Sequence, residues 1–113
     1  MQPGDVYRVA YPPADGHEQA GRRPSIVLQT DTFAAKSPLV FTVPLTSKAN
    51  VARYPGVVFV PADAQNGLTI DSYALEFQLR ATDRVRLLDK LGEVSPAILA
   101  EIYKALDALT GHP

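Results

Sequence analysis

The sequence predicts a small, mainly β domain with an α component: short strands forming a small barrel, followed by one C-terminal helix. Three observations predict it. Short runs of β-branched and aromatic residues recur between proline, glycine and asparagine turn signals. One stretch, Ser95 to Gly111, has the start, spacing and stop of an amphipathic helix. The 113 residues, 46% of them hydrophobic, suffice for one core and are too few for two, so 1–113 reads as a single domain.

In chain order, Asp5 to Tyr11 alternates apolar and polar residues as a first strand, closed by Pro12-Pro13. A polar loop follows, from Gly16 to Pro24, and leads into a strand from Ser25 to Gln29. Leu39 to Pro44 is the next strand; Pro44 cannot donate to a ladder, so it is expected to end the strand or lie on an edge, with Leu45-Thr46-Ser47 facing solvent or a ligand. Lys48 to Gly56 reads as a loop carrying two cations and an aromatic ring. Val57 to Val60 is a strand, and Asn66-Gly67 a turn. Ser72 to Leu79 reads as a strand with Tyr73, Leu75, Phe77 and Leu79 on one face and Glu76 on the other. Arg80 to Arg86 is a short extended piece or turn, and Leu87 to Gly92 a helical turn stopped by glycine. Ser95 suits a helix N-cap, Pro96 the first helical position and Gly111 the stop, with Ile98, Leu99, Ile102, Leu106 and Leu109 on one apolar face.

Composition narrows the chemistry. The formal net charge is −1, so bulk charge does not make the chain a nucleic-acid binder and any anion site must be local. Seven of the eleven basic residues are arginine, whose planar fork grips phosphate with two parallel hydrogen bonds. Without cysteine there is no disulfide framework, thiolate metal site or thiol nucleophile, and with only His17 and His112 a histidine-rich metal site is not expected. No metal or other cofactor is therefore predicted. There is no apolar run long enough to span a bilayer and no basic-then-apolar start, which predicts a soluble, cytoplasmic protein.

The densest chemistry lies in Gly16-His17-Glu18-Gln19-Ala20-Gly21-Arg22-Arg23-Pro24. It carries an imidazole, a carboxylate, an amide and two guanidinium groups, more than a connection requires.

With Gly4-Asp5-Val6 before it and Val27-Leu28 after it, this loop resembles the first motif of the MazF/PemK/Kid family of toxin–antitoxin ribonucleases. Val43-Pro44-Leu45-Thr46-Ser47 is similar to the second motif, Asn50 with Ala52-Arg53 resembles the Kid branch, and Gln78 to Asp83 with Arg86-Leu87 is similar to a third block. The order and spacing agree from Gly4 to the C-terminal helix. The resemblance implies an SH3-like barrel of the CcdB/Kid type and a homodimer. It further implies metal-independent, sequence-specific cleavage of single-stranded RNA, and a cognate antitoxin whose disordered, acidic tail competes for the same arginines. On the positions matching the family's motifs it makes Arg23, Thr46 and His17 the catalytic candidates. The candidates for RNA contact are Glu18, Gln19, Arg22, Ser47, Lys48, Arg53, Phe77, Gln78 and Arg80.

Metal-free cleavage by the neighbouring 2′-hydroxyl needs a proton acceptor, a holder for phosphorane charge and a donor to the leaving 5′-oxygen. A fixed guanidinium suits the charge and is a poor proton donor, which fits Arg23 to the phosphate. Thr46 offers a hydroxyl donor, and His17 has the only side chain in these motifs that titrates near neutrality. Each has a plainer reading: His17 as a surface residue, Arg23 as a loop anchor, and Glu18 and Gln19 as loop braces. The chain departs from the family in the third block. Where the family has an acid before the glutamine this chain has Phe77, and the Kid-type arginine two residues earlier is Leu75. Phe77 then reads either as core or as a platform for an unpaired base. Two other classes compete: a CcdB-like gyrase poison, and a catalytically silent relative that acts by protein binding.

Overall fold

In the computed structural model, which describes residues 1–13, 16 and 21–112, the first strand, β1 (Asp5–Tyr11), has the predicted bounds. It forms where side chains alternate between a buried face and a wetter one. The turn before it is held by Asp5, which is 3% exposed and accepts a hydrogen bond from the Gln2 amide at 2.8 Å.

β2 (Gly21–Val27) begins four residues before the predicted strand, so Arg22, Arg23 and Pro24 lie on a strand and not in a loop. The cause is non-local: Ala10, Val9 and Arg8 of β1 pair with them. Pro24 is tolerated because β3 pairs with β2 only from Ser25 onward, which leaves one edge of β2 open there. A short helix, α1 (Asp31–Ala34), precedes β3 (Leu39–Thr46).

Pro44 does not end its strand. β3 changes partners around it, pairing through Thr42 to Pro44 with β2 and through Leu45 and Thr46 with β5 (Ser72–Ala74), while the Pro44 carbonyl accepts the Leu75 amide at 3.0 Å. A 3₁₀ turn, Ala49–Arg53, leads to β4 (Val58–Val60), which lies antiparallel to β5. Between them the predicted Asn66-Gly67 turn is built from its own side chains. Asn66 accepts from the Asp63 and Leu68 amides at 3.1 and 3.0 Å, and Asp63 accepts from the Asn66 amide at 2.7 Å.

The predicted strand from Ser72 to Leu79 stops at Ala74, and Glu76–Gln78 turns as a 3₁₀ segment before β6 (Arg80–Asp83) pairs with β3. β7 (Leu87–Glu93) replaces the predicted helical turn, because the outer edge of β1 takes it as an antiparallel partner. Gly92 serves close approach and not a helix stop: a Cβ there would fall 2.2 Å from the Gln65 carbonyl oxygen.

The ladder runs β4-β5-β3-β2-β1-β7, with β6 beside β3, and β4 and β7 stand at its ends. The sheet is therefore open, a looser form of the predicted barrel.

α2 (Pro96–Thr110) is capped as predicted, with Ser95 Oγ accepting the Ile98 amide at 3.3 Å and Gly111 at φ 73°. Ile102 is fully buried, and Ile98, Leu99 and Leu106 pack on a core of Val6, Ile26, Val43, Leu45, Val60 and Ala74. Leu109 departs from the predicted stripe and is 47% exposed. Among the described residues no helix is long and apolar enough to cross a membrane.

Candidate active site

Strand register assigns the two faces of the sheet. Ser25 pairs with Pro44, Val27 with Thr42, and Thr42 with Arg80. Alternation therefore places Arg23, Ser25, Thr42, Thr46, Arg80 and Thr82 on one face, opposite the face that packs on α2. The β2–β3 ladder ends at the Ser25–Pro44 pair. Arg23 and Thr46 each lie two residues beyond that pair along their strands, on the same face. Arg22 projects to the other side and is exposed.

Along this face runs a chain of buried hydroxyls. Tyr11 Oη lies 2.7 Å from Ser25 Oγ and 2.9 Å from Thr42 Oγ1, which in turn lies 2.8 Å from Thr82 Oγ1. The Arg80 guanidinium sits over the Tyr11 ring, 4.6 Å from its centre. Burial pushes the Tyr11 phenol above its ordinary value of 10.0, against the opposing pull of Ser25, Thr42 and Arg80, so the phenol stays neutral and the chain uncharged. Tyr11 thus ties β1 to β2 and β3 and supports Arg80, a role the sequence did not mark. Tyr11→Phe is expected to destabilise the fold by about 1–3 kcal/mol, through hydroxyl partners left unsatisfied. Urea unfolding checks it.

Thr46 ends β3 with its side chain 3% exposed, and its Oγ1 accepts the Lys48 amide at 3.3 Å, which leaves the hydroxyl proton to donate. The expectation that Leu45, Thr46 and Ser47 all face outward is corrected: Leu45 and Thr46 are buried by their pairing with β5, and Ser47 and Lys48 are exposed. Arg53 is exposed at the end of its turn. Its guanidinium lies 5.2 Å from the centre of the Tyr54 ring, and that ring meets Phe77 edge-on at 6.2 Å.

Phe77 is 42% exposed, which removes it from the core. Gln78 is half-buried. Phe77, Gln78, Leu79 and Arg80 line a surface pocket of about 260 Å³. A larger apolar hollow of about 460 Å³, among Leu28, Phe33, Leu39 and Phe41, has no cation in its lining. His17, Glu18 and Gln19 lie outside the described residues.

The turn that exposes Phe77 buries Glu76, which is 1% exposed. Neither carboxyl oxygen accepts a hydrogen bond from another described residue. Gly56, at φ 83°, makes room for it: a Cβ there would lie 2.7 Å from Glu76 Oε1. Burial raises the Glu76 pKa from 4.5 to about 7. The folded chain therefore holds a proton that the unfolded chain releases between those values. Stability from this group is full below pH 4.5, declines as pH rises to about 7, and is flat beyond. The decline is expected to reach about 3 kcal/mol, and Glu76→Gln to abolish it, as read by unfolding at pH 4.5, 6 and 8.

An open antiparallel sheet backed by one helix, with Arg23, Thr46 and Arg80 on the face away from that helix, defines a small β-rich class with a candidate phosphate site. Residues 2–110 match the family model described as PemK-like, MazF-like toxin of type II toxin-antitoxin system. The chain belongs to that family. It is 35% identical over 111 residues to Endoribonuclease MazF of Staphylococcus saprophyticus, covering 98% of this chain and 92% of that one. It is 36% identical over 108 residues to Endoribonuclease MazF of Staphylococcus epidermidis, with 96% and 89% covered. The crystal structure of MazF from Deinococcus radiodurans superposes with a TM-score of 0.84 at 31% identity, over 98% of this chain and 96% of that chain. An endoribonuclease in complex with its cognate antitoxin, from a mycobacterial species, gives 0.75 at 26% identity, over 100% and 97%.

Proposed function

We propose that this chain is the endoribonuclease toxin of a toxin–antitoxin module, cutting single-stranded RNA at short sequences without a metal ion. The observation that supports the reading is the strand alternation, by which Arg23, Thr46 and Arg80 share one face of the sheet. Relatives named as endoribonucleases support the reaction class.

In this mechanism the 2′-oxygen attacks the adjacent phosphorus as its proton passes to a base, and the bond from phosphorus to the 5′-oxygen breaks. That oxygen takes a proton, leaving a 2′,3′-cyclic phosphate and a 5′-hydroxyl. Arg23 holds the non-bridging oxygens where charge develops, a role worth about 3 kcal/mol by analogy with one oxyanion donor. The Thr46 hydroxyl donates to the same phosphate. His17 is the candidate for proton transfer, because its imidazole exchanges protons near neutral pH. Arg22, Lys48, Ser47, Arg53 and Arg80 supply cationic and hydroxyl contacts to the backbone, and Gln78 with Glu18 and Gln19 supplies polar contacts to bases.

The active form is a homodimer in the cytoplasm. Its protein partner is an antitoxin with an acidic segment that occupies the arginine face; a neighbour solved with its cognate antitoxin supports such a partner.

Incubating the purified chain with a long single-stranded RNA in EDTA and mapping the ends tests this reading. Discrete cuts with 5′-hydroxyl ends are expected. Absence of cutting would favour a binding-only relative, and cutting that EDTA abolishes would contradict the metal-free route.

A further inference from the structure

We propose that Tyr54 and Phe77, flanked by Arg53, form a stacking platform that takes one unpaired base of the RNA next to the cleaved phosphate. The inference rests on the ribonuclease reading and adds a specificity residue, Tyr54, that the sequence motifs do not contain.

Two large aromatic rings stand 44% and 42% exposed and touch each other edge to face, with centres 6.2 Å apart and planes at 61°. An edge-to-face pair leaves ring surface for a third flat group, and offset or edge contacts among three rings are favourable. The Arg53 guanidinium lies 5.2 Å from the Tyr54 ring centre, so the pair already carries a cation over a π face. Beside Phe77 opens the pocket of about 260 Å³, whose other walls are Gln78, Leu79 and Arg80.

Among the described residues the pocket has no acidic lining, and the turn sends the neighbouring Glu76 into the interior. The Leu75 amide bonds the Pro44 carbonyl at 3.0 Å, which fixes this turn to β3 two residues before Thr46. Rings for bases and guanidinium groups for phosphates, in one short strip, are the chemistry that single-stranded nucleic acid recognises.

The chain contains no tryptophan, so Phe77→Trp would place a single indole in the platform. Its emission is to be titrated with 2′-O-methyl single-stranded oligonucleotides, with an abasic oligonucleotide of the same charge, and with an acidic peptide. Quenching by base-bearing strands and not by the abasic strand is expected. Tyr54→Ala and Phe77→Ala should each weaken oligonucleotide binding roughly 5- to 100-fold with unchanged circular dichroism, and Phe77→Ala should also alter the base preferred beside the cut.

Equal quenching by the abasic strand, quenching by the peptide alone, or binding within twofold of wild type in both alanine variants would overturn the platform. If the wild-type chain still cuts RNA in those cases, the ribonuclease reading survives without it. If the wild-type chain cuts nothing, that reading fails, and the indole titration still decides whether a base stacks there.

Discussion

Arg23→Ala is expected to slow RNA cleavage about 10²- to 10³-fold while the chain keeps its cooperative unfolding transition. The size follows from what the guanidinium does. In the proposed mechanism it meets charge that grows on the phosphorus oxygens in the transition state, so its loss should raise the barrier more than it weakens substrate binding. Arg23→Lys should recover only part of the rate, since an ammonium restores the charge without the two-pronged geometry. Single-turnover cleavage of an oligonucleotide, followed beside urea unfolding, separates the chemical effect from a folding defect. Wild-type rates in Arg23→Ala would move the phosphate site away from Arg23.

The largest expected effect on stability falls at Gly67. A Cβ there would lie 2.0 Å from the Leu91 carbonyl oxygen and 2.7 Å from its carbon, and the residue has φ 71°. Both obstacles are backbone, so relief requires β7 to move off the 63–67 turn. That would strain the hydrogen bond from the Glu93 amide to the Gln65 carbonyl, 3.0 Å long. Gly67→Ala should therefore cost more than about 4 kcal/mol, in the range reserved for a named steric fault. Gly21 provides the control. Its φ is 76° with no described residue within 4 Å of where a Cβ would lie, so Gly21→Ala should cost only the local strain of about 1–2 kcal/mol. Equal costs in urea unfolding would show that backbone conformation alone, and not contact with β7, requires glycine at 67.

How much of this could be read from the chain depended on how local each cause is. β1 and the caps of α2 follow from alternation and from Ser95, Pro96 and Gly111, all of which act within a few residues. The start of β2, the strand character of Leu87–Glu93 and the continuation of β3 through Pro44 depend on partners far along the chain. Local propensity misreads these. The 72–79 segment shows the same limit on a finer scale. Its alternation is genuine in sequence, yet the turn after Leu75 reverses it, hiding Glu76 and exposing Phe77.

The site was legible in parts. The motifs marked Arg23 and Thr46 as separate residues, and only the strand pairing puts them on one face. Nothing in the spacing joined Tyr54 to Phe77, or Tyr11 to Thr42, because both contacts cross between elements. The missing family acid was visible at once in the sequence. That its place had become an exposed aromatic surface was visible only in three dimensions.

The most direct test of the central claim, that the neighbouring 2′-hydroxyl is the nucleophile at a site built from Arg23 and Thr46, is one substitution in the substrate. Once the cut site is mapped, an oligonucleotide carrying a single 2′-deoxy sugar on the 5′ side of that bond should bind within a few-fold of the all-ribose strand and not be cleaved there. Cleavage of the deoxy strand at the same bond, at the ribose rate, would contradict the account.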